Sequence, residues 1–199
     1  MRCQYMVLPN LNFINESFYC EHLLESDINT LLIQNFTVKN PSGINLVEYL
    51  KCLAEKSEST NENRTYLVKD KTTNEIAGYF ALRNGLFTLH NPYRPDYMLT
   101  VPAIELSNFA VNETYRKGHP DTEKIGRTIL YDFVIPIAKY IQTLTAVQAL
   151  YIYALPENKL IEHYSSLGFE RLKADEEQFV HQNVKPAYDD GCIFMFQML

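Results

Sequence analysis

The spacing of apolar residues in the first half of the chain predicts one amphipathic helix followed by a β-hairpin. Five apolar residues between positions 44 and 54 recur at helical spacing, which predicts a helix packed against a sheet by a single stripe. They are Ile44, Val47, Leu50, Leu53 and Ala54. Two β-rich runs, 65–68 and 76–82, flank a short polar turn and predict the hairpin. An earlier run, 5–8, predicts a short strand that Pro9 would end.

Residues 103–111 alternate as a strand does, but polar side chains occur on both of its faces. A buried polar group costs about 1–3 kcal/mol unless it is paired, so we expect some of these residues to have a role. The preceding segment, 91–102, contains three prolines and predicts a loop. Further along, apolar spacing predicts a helix from about Lys124, which Pro136 should kink or end.

The last third of the chain predicts three strands and a short helix. Residues 147–154 are apolar on both faces and predict a covered strand. A helix should follow from Pro156 and stop at Gly168, with strands at 169–172 and 192–199. The intervening stretch, 173–191, is rich in acidic residues. It is either a solvated loop or a lid that attracts a cationic amine.

Composition predicts a soluble globular protein with one domain spanning residues 1–199. Of the 199 residues, 46% are hydrophobic and 21% are charged. Lys and Arg number 18 and Asp and Glu number 24, so the formal net charge is −6. An acidic chain disfavours a nucleic-acid partner and is compatible with a cationic or amine-bearing substrate.

The spacing of the cysteines and histidines and the lack of long apolar runs argue against several classes of protein. The four cysteines are scattered, with no CxxC pair, which predicts free thiols in a reducing compartment. The five histidines lack metal-ligand spacing, so no metal is predicted. No apolar run approaches the roughly 18 residues that cross a bilayer, and the N-terminus lacks a secretory pattern. We therefore expect a cytoplasmic protein without a membrane partner.

The beginning of the helix at Ile125-Gly126-Arg127 is a candidate phosphate site. A helix start presents unpaired backbone N–H groups and the positive end of the helix dipole, so it suits a phosphate. Gly126 would let a pyrophosphate approach the backbone closely. Strand–turn–glycine–helix units are also common as plain structure, and that alternative stays open.

Two segments together resemble the GCN5-related N-acetyltransferase (GNAT) family. They are residues 103–134, which contain the strand, the turn and the Gly126 helix, and residues 151–172, which contain the sequence HYSSLGF. The runs RTYLV at 64–68 and IAGYFAL at 76–82 precede them in the same order as in the GNAT subgroup that includes acetyltransferase toxins. The resemblance covers residues 35–172 and the final strand. It implies a mixed α/β fold with a mostly antiparallel six- to seven-stranded sheet, splayed at the centre and flanked by helices.

The resemblance implies an acetyl-CoA site with two parts. The backbone of Phe109, Ala110 and Val111 would hydrogen-bond the pantetheine arm as if it were another strand. The pyrophosphate would be held near Arg116 and Lys117 and by the amides of the helix start. Those amides belong to Lys124, Ile125, Gly126, Arg127 and Thr128.

The resemblance also implies direct attack of an amine on the thioester, which requires a neutral amine and a proton for the departing thiolate. Tyr164 matches the family tyrosine and would be the general acid, with a core tyrosine as the alternative. Asn158 matches a polar position near the cofactor or is a capping group. Glu105 is either a general base or a charge paired with Arg83.

One departure from the family pattern bears on the cofactor site and has two parts; a second is the long stretch 173–191. Residues 118–123 form an insertion between Lys117 and the helix start, and Lys124 stands where the family has its first glycine. Lys124 could present only its amide, add a charge contact, or mark a lost cofactor site.

Three functions remain open. The first is acetyl transfer to a primary amine of a small molecule or protein, and the second is a toxin that acetylates aminoacyl-tRNA. The third is a non-catalytic binding module with the same fold. A homodimer is also left open.

Overall fold

Seven strands form one mixed, mostly antiparallel sheet in the computed structural model, which describes residues 13–91, 93–183 and 191–199. Of Pro95 and Asn183 only the backbone is described, and the predicted strand at 5–8 lies outside the described residues. The strands are β1 (Phe18–His22), β2 (Arg64–Asp70), β3 (Ile76–Asn91), β4 (Arg94–Val111), β5 (Ala149–Ala154), β6 (Glu170–Arg171) and β7 (Ile193–Met198). Their order is β1-β2-β3-β4-β5-β7-β6.

Helices connect these strands. They are α1 (Asn29–Leu32), α2 (Ile44–Glu48), α3 (Ala54–Ser59), α4 (Glu113–Gly118), α5 (Ile125–Ile129), α6 (Ile135–Leu144), α7 (Asn158–Ser166) and α8 (Ala174–Asn183). A π-helical turn, Tyr49–Leu53, joins α2 to α3, and a second one, Leu130–Val134, joins α5 to α6. Short 3-10 turns occur at Leu23–Glu25, Ile33–Asn35 and Pro41–Gly43.

The chain divides into two compact units, of which the first comprises the described parts of Met1–Leu82 and Asn108–Pro136. Here β1 and β2 pair antiparallel from Phe18–Asp70 to His22–Tyr66, and β2 pairs antiparallel with β3. The predicted hairpin of β2 and β3 is therefore confirmed. A core of buried aromatic and aliphatic side chains, including Phe36, Leu50 and Tyr79, packs between the helices and the sheet.

The predicted apolar stripe on the helix of residues 44–54 is only partly right. Leu50 and Ala54 are buried, but Ile44 and Leu53 are exposed, and Tyr49 is buried in their place. The reason is the π turn over Tyr49–Leu53, because its extra residue rotates the buried face away from a regular 3.6-residue period.

A buried charge network links α1 to the sheet of this unit. Lys69 on β2 is buried, and its ammonium lies 2.5 Å from Glu21 Oε1 on β1 and 2.5 Å from the Asn29 side-chain oxygen. The Asn29 amide group also donates to Glu21 and to the Leu23 carbonyl. The charge is thus paired and hydrogen-bonded on more than one side, which a buried ammonium requires.

The second unit comprises Arg83–Ser107 and the described parts of Ile137–Leu199. Strand β5 pairs with β4 in parallel over three residue pairs, from Ala103–Ala149 to Glu105–Tyr151. It pairs antiparallel with β7, which also pairs with β6. Phe87, Tyr151 and Phe194 form the centre of its core, and Val180 of α8 is buried against them.

At three places, sequence-based expectations about secondary structure are wrong in whole or in part. Residues 91–102 were expected to be a loop, but β3 extends to Asn91 and β4 begins at Arg94, because long cross-strand pairing overrides the prolines. The stretch 173–191 was expected to be a solvated loop or a lid; α8 occupies Ala174–Asn183, so the loop is wrong there, and the lid stays a prediction. Pro136 was expected to kink or end its helix; it does not end it, because α6 continues to Leu144 after the π turn at Leu130–Val134, and the kink stays a prediction.

Candidate functional site

The helix that carries Gly126 begins at Ile125, as the sequence predicts. Thr128 already donates its N–H to the Lys124 carbonyl at 3.0 Å. The expectation that Thr128 offers an amide to a phosphate is therefore wrong. Ile125, Gly126 and Arg127 have no helical carbonyl partner for their N–H groups, and the described part of the chain gives them no other acceptor. Three adjacent donors thus remain at the positive end of the helix dipole.

Lys124 occupies the position immediately before this helix in a left-handed backbone conformation, with φ of 54° and ψ of 32°. Glycine adopts this conformation readily, whereas a residue with a Cβ is strained there. The backbone at Lys124 therefore keeps the geometry that a glycine would supply, although the side chain differs. That side chain is exposed, and its ammonium makes no ion pair among the described residues.

Arg116 and Lys117 lie on α4, a helix that the sequence did not predict. Arg116 Nη2 lies 2.5 Å from Glu113 Oε2, and Lys117 Nζ lies 4.0 Å from Glu113 Oε1. Both cations are thus paired along their own helix. Arg127 instead lies over the Tyr131 ring, with its guanidinium carbon 5.2 Å from the ring centroid.

The insertion before Lys124 is anchored to the turn between β2 and β3. His119 stacks on Tyr115 with ring centroids 4.1 Å apart, and its Nε2 lies 3.4 Å from Glu75 Oε2. Tyr115 donates its hydroxyl to Asp70 Oδ2 at 2.6 Å. Burial, together with the hydrogen bond to Asp70, raises the pKa of the Tyr115 phenol above its ordinary value. The enlarged turn is therefore an ordered part of the first unit.

The end of β4 packs closely against β3 and the Gly126 helix. A Cβ added to Gly78 on β3 would lie 2.4 Å from Ile129 Cδ1 and 2.8 Å from the Ala110 carbonyl oxygen. Phe109 and Val111 are half-buried on either side of buried Ala110. The absence of a side chain at Gly78 therefore lets these three elements approach one another.

Asn112 fixes the position at which β4 ends, and sequence reasoning missed it. Its side-chain oxygen accepts from Thr114 N at 3.1 Å, which caps α4, and from Thr37 N at 3.2 Å. Its side-chain amide donates to the Ile76 carbonyl at 2.8 Å. An Asn two residues before Thr114 is a typical helix N-cap signal, and that signal could have identified both Asn112 and α4.

Glu105 is buried in the second unit and paired on both of its oxygens. Arg83 Nε donates to Oε2 at 3.0 Å and Nη2 donates to Oε1 at 2.7 Å. The Tyr151 hydroxyl donates to Oε2 at 2.9 Å. Of the two interpretations that the sequence left open, the structure has the pairing with Arg83. Burial and the neighbouring Glu105 raise the pKa of the Tyr151 phenol, so Tyr151 stays a donor.

Tyr164 lies near the end of α7, and its side chain is buried against Phe169 with ring centroids 5.6 Å apart. Burial raises the pKa of the Tyr164 phenol above its ordinary value, so the group is protonated at neutral pH. A neutral phenol can donate a hydrogen bond or a proton. Asn158 is exposed at the first residue of α7 and makes no described capping bond.

Two kinds of feature are absent from the described residues. No helix there is long and apolar enough to cross a membrane. The same residues contain no cluster of His, Cys, Asp and Glu side chains that could hold a metal ion.

Comparison with known proteins places the fold. No protein-family model matches the sequence, and no curated protein matches it significantly. Among solved structures, a tyrosine-to-phenylalanine mutant of KacT superposes with a TM-score of 0.65 and 16% identity, covering 92% of this chain and 95% of KacT. A tyrosine-to-phenylalanine mutant of the AtaT toxin superposes with a TM-score of 0.64 and 16% identity, covering 96% of this chain and 95% of AtaT.

A third structure, AtaT complexed with acetyl-methionyl-tRNAfMet, gives a TM-score of 0.61 and 17% identity, covering 89% of this chain and 93% of AtaT. The expectation that the protein has no nucleic-acid partner finds no support in this comparison. Each of these three matches covers 89% or more of this chain. The chain therefore has a GNAT-like fold, which it shares with the toxins KacT and AtaT.

Proposed function

We propose that the protein is an acetyl-CoA-dependent N-acetyltransferase that acts on a primary amine. One observation carries the proposal: Ile125, Gly126 and Arg127 present three unpaired amides at the start of a helix. Such a group of donors suits a diphosphate, because it adds hydrogen bonds to the positive end of the helix dipole. The GNAT-like fold supports it, and a similar structure of mutant AtaT contains acetyl-CoA.

The pantetheine arm would lie along the end of β4. Phe109, Ala110 and Val111 provide backbone donors and acceptors there, and Gly78 holds that strand end close to the helix of Gly126. Strand end and helix start thus belong to the same compact unit. The two halves of one extended cofactor would be bound by neighbouring backbone groups.

Transfer would proceed by direct attack of the amine on the thioester carbonyl. A C–N bond forms, the C–S bond breaks, the amine loses a proton, and the coenzyme A thiolate takes up a proton. Tyr164 is the proposed donor of that proton, since burial keeps its phenol neutral. Glu105 has a different proposed role, because both of its oxygens are engaged by Arg83 and Tyr151.

Calorimetric titration of acetyl-CoA into wild-type protein and into Gly126→Asp tests the cofactor site. An aspartate in the first turn favours the helix dipole, so this change should not unfold the helix. It places a negative charge among the three amides, and we expect the Kd to rise roughly 100-fold, which is about 2.7 kcal/mol.

Gly118→Asp is the matched control, because a Cβ at Gly118 meets no atom within 4 Å. This variant should keep the wild-type Kd. A wild-type protein that binds no acetyl-CoA would refute the proposal. Binding with no thiol release for any amine would instead favour the non-catalytic binding module.

The acceptor is a second question, and one observation favours aminoacyl-tRNA. Two acetyltransferase-fold toxins match over nearly the whole chain, and AtaT is complexed with acetyl-methionyl-tRNAfMet. The net charge of −6 weighs in the other direction. Mass spectrometry after incubation with acetyl-CoA and charged tRNA, free amino acids or lysine peptides would distinguish these acceptors.

A further inference from the structure

The inserted turn that leads to Lys124 is closed by its own hydrogen bonds. His119 leaves the helical conformation at the end of α4, with φ of −128° and ψ of 67°. The Thr122 N–H donates to the His119 carbonyl at 3.0 Å, and the side chain of Thr122 hydrogen-bonds the Tyr115 hydroxyl. Only Glu123 therefore separates the closed part of the turn from Lys124.

The ring of His119 is held by three contacts. Its Nδ1 lies 3.0 Å from the Tyr115 carbonyl oxygen, which can only accept, so Nδ1 carries a hydrogen and donates it. Its Nε2 lies 3.4 Å from Glu75 Oε2. The ring also stacks on the Tyr115 ring, with centroids 4.1 Å apart and an angle of 18° between the planes. A carbonyl, a carboxylate and an aromatic ring thus fix its position together.

The carboxylates that hold this stacked pair belong to the turn between β2 and β3, which is itself ordered. Asp70 Oδ1 accepts from the backbone N–H groups of Thr72 and Thr73 at 2.7 and 3.0 Å. Its Oδ2 accepts from the Tyr115 hydroxyl at 2.6 Å. The Asp70 N–H donates to the Glu75 carbonyl at 2.9 Å. The inserted turn is therefore anchored to a second turn that is closed by hydrogen bonds.

The backbone of Lys124 needs support of this kind. A residue with a Cβ is strained in the left-handed conformation and keeps it only where its surroundings impose it. The Lys124 side chain makes no capping hydrogen bond or ion pair within the described part of the chain. The backbone on either side must therefore hold it. On one side is the helix that begins at Ile125 and continues through Val134, and on the other is the inserted turn.

Resting on the proposed transferase function, we infer that His119 is a positioning residue for the cofactor diphosphate. Together with Tyr115 and Glu75, it holds the left-handed backbone of Lys124. Relaxation of that strain would rotate the peptide group between Lys124 and Ile125, and the Ile125 N–H would turn with it. The side-chain contacts of the enlarged turn thus supply what a glycine would supply by conformational freedom.

Two fragments of acetyl-CoA separate this role from a general effect on stability. ADP carries the diphosphate without the pantetheine arm, and S-acetylpantetheine carries the arm without the diphosphate. In His119→Ala, we expect the Kd values of ADP and of acetyl-CoA to rise roughly 10-fold, because the amides are no longer held in place before binding. The Kd of S-acetylpantetheine should stay unchanged. NMR titration measures the two fragments, and calorimetry measures acetyl-CoA.

His22→Ala is the matched control. His22 lies in the same compact unit, its Nε2 is 2.9 Å from Glu58 Oε1, and its ring packs edge-on against Tyr66. Removing it should lower stability and leave all three Kd values at those of wild type. If His119→Ala does not fold, Glu75→Gln replaces it and should raise the Kd of ADP roughly 2- to 5-fold. An unchanged Kd in that variant would overturn the inference.

Glycine at position 124 tests whether the anchor acts through the strained backbone. In a Lys124→Gly background the left-handed conformation costs little, so the amides need less support. His119→Ala should then raise the Kd of ADP only about 2-fold, because most of the strain is already absent. A rise that stays at the full value in this background would overturn the inference.

Hydrogen exchange without any ligand makes the failure of this inference distinguishable from failure of the proposed function. Thr122 and Thr128 donate their N–H groups to the carbonyls of His119 and Lys124, each at 3.0 Å. These two amides should exchange roughly 10-fold faster in His119→Ala than in wild type, and at the wild-type rate in His22→Ala.

Equal exchange rates in wild type and His119→Ala would overturn the inference, and so would equal rises in Kd for ADP and S-acetylpantetheine. Wild-type protein that binds ADP but not acetyl-CoA would refute the transferase proposal alone. Wild-type protein that binds neither would refute both.

Discussion

Gly85 and Tyr151 provide a sharp test of the packing around Glu105. An alanine at Gly85 would place its Cβ 2.1 Å from the Tyr151 hydroxyl oxygen and 2.8 Å from two carbons of the ring. Distances this short require Tyr151 to move. Its hydrogen bond to the buried Glu105 would then lengthen or break.

The magnitudes follow from these contacts. Overpacking of this kind costs about 1–3 kcal/mol. Alanine regains about 0.4–1 kcal/mol by restricting the unfolded chain, so Gly85→Ala should lower the free energy of unfolding by roughly 1–2 kcal/mol. Tyr151→Phe removes a hydrogen bond to a charged acceptor and should cost about 1.5–3 kcal/mol.

The double variant should lose less stability than the sum of the two single variants. In Gly85→Ala combined with Tyr151→Phe, the hydroxyl that causes the shortest contact is absent, and its hydrogen bond cannot be lost twice. The contacts with the ring carbons remain. We therefore expect a coupling energy of about 1 kcal/mol.

Urea unfolding of the four proteins, followed by circular dichroism at constant m value, measures this coupling. Free energies that add within about 0.3 kcal/mol would show that Gly85 and Tyr151 do not share the site described.

Three further predictions concern the proposed cofactor unit and the tyrosine acid. Gly78→Ala should lower the free energy of unfolding, measured in urea, by about 2–3 kcal/mol. The Ala110 carbonyl oxygen, 2.8 Å from the new Cβ, is backbone and cannot rotate away as the Ile129 side chain can. Unchanged stability would contradict this packing. Lys124→Gly should relieve about 1 kcal/mol of strain from the left-handed backbone and raise the Tm by about 2–4 °C. Lys124→Ala should leave the Tm unchanged. An equal rise in both variants would refute the strain. Burial raises the folded pKa of Tyr164, so its stabilising contribution is complete below the unfolded value of about 10 and is lost as pH rises above it. Urea titrations at about pH 9 to 11 should therefore show a shallower decline in stability for Tyr164→Phe than for wild type, and identical declines would contradict the raised pKa.

The sequence predicted those parts of the fold whose signals are local. The hairpin of β2 and β3, the helix start at Ile125 and the stop at Gly168 each depend on neighbouring residues, and each is confirmed. Gly168 has φ of 88°, which explains why a glycine ends α7. The order of these elements is what made the resemblance to acetyltransferases visible.

Features that depend on distant residues could not be predicted from the sequence. The prolines of residues 91–102 favour a loop locally, but pairing along β3 and β4 determines the strand. The π turn at Leu130–Val134 has no local signal, although it decides whether Pro136 ends the helix. The sequence identified Arg83 as a partner of Glu105 but not Tyr151, which is far away along the chain.

Lys69 links the stability of separate segments in the first unit. Its ammonium contacts Glu21 in β1 and Asn29 in α1. Neither β1 nor α1 can therefore move away from β2 without exposing the ammonium or leaving it buried and unpaired. Such a stranded charge costs about 3–5 kcal/mol, a large fraction of the stability of a typical domain. Partial opening of the edge strand alone should therefore be rare, and amide protons of β1, α1 and β2 should exchange with solvent at similar rates.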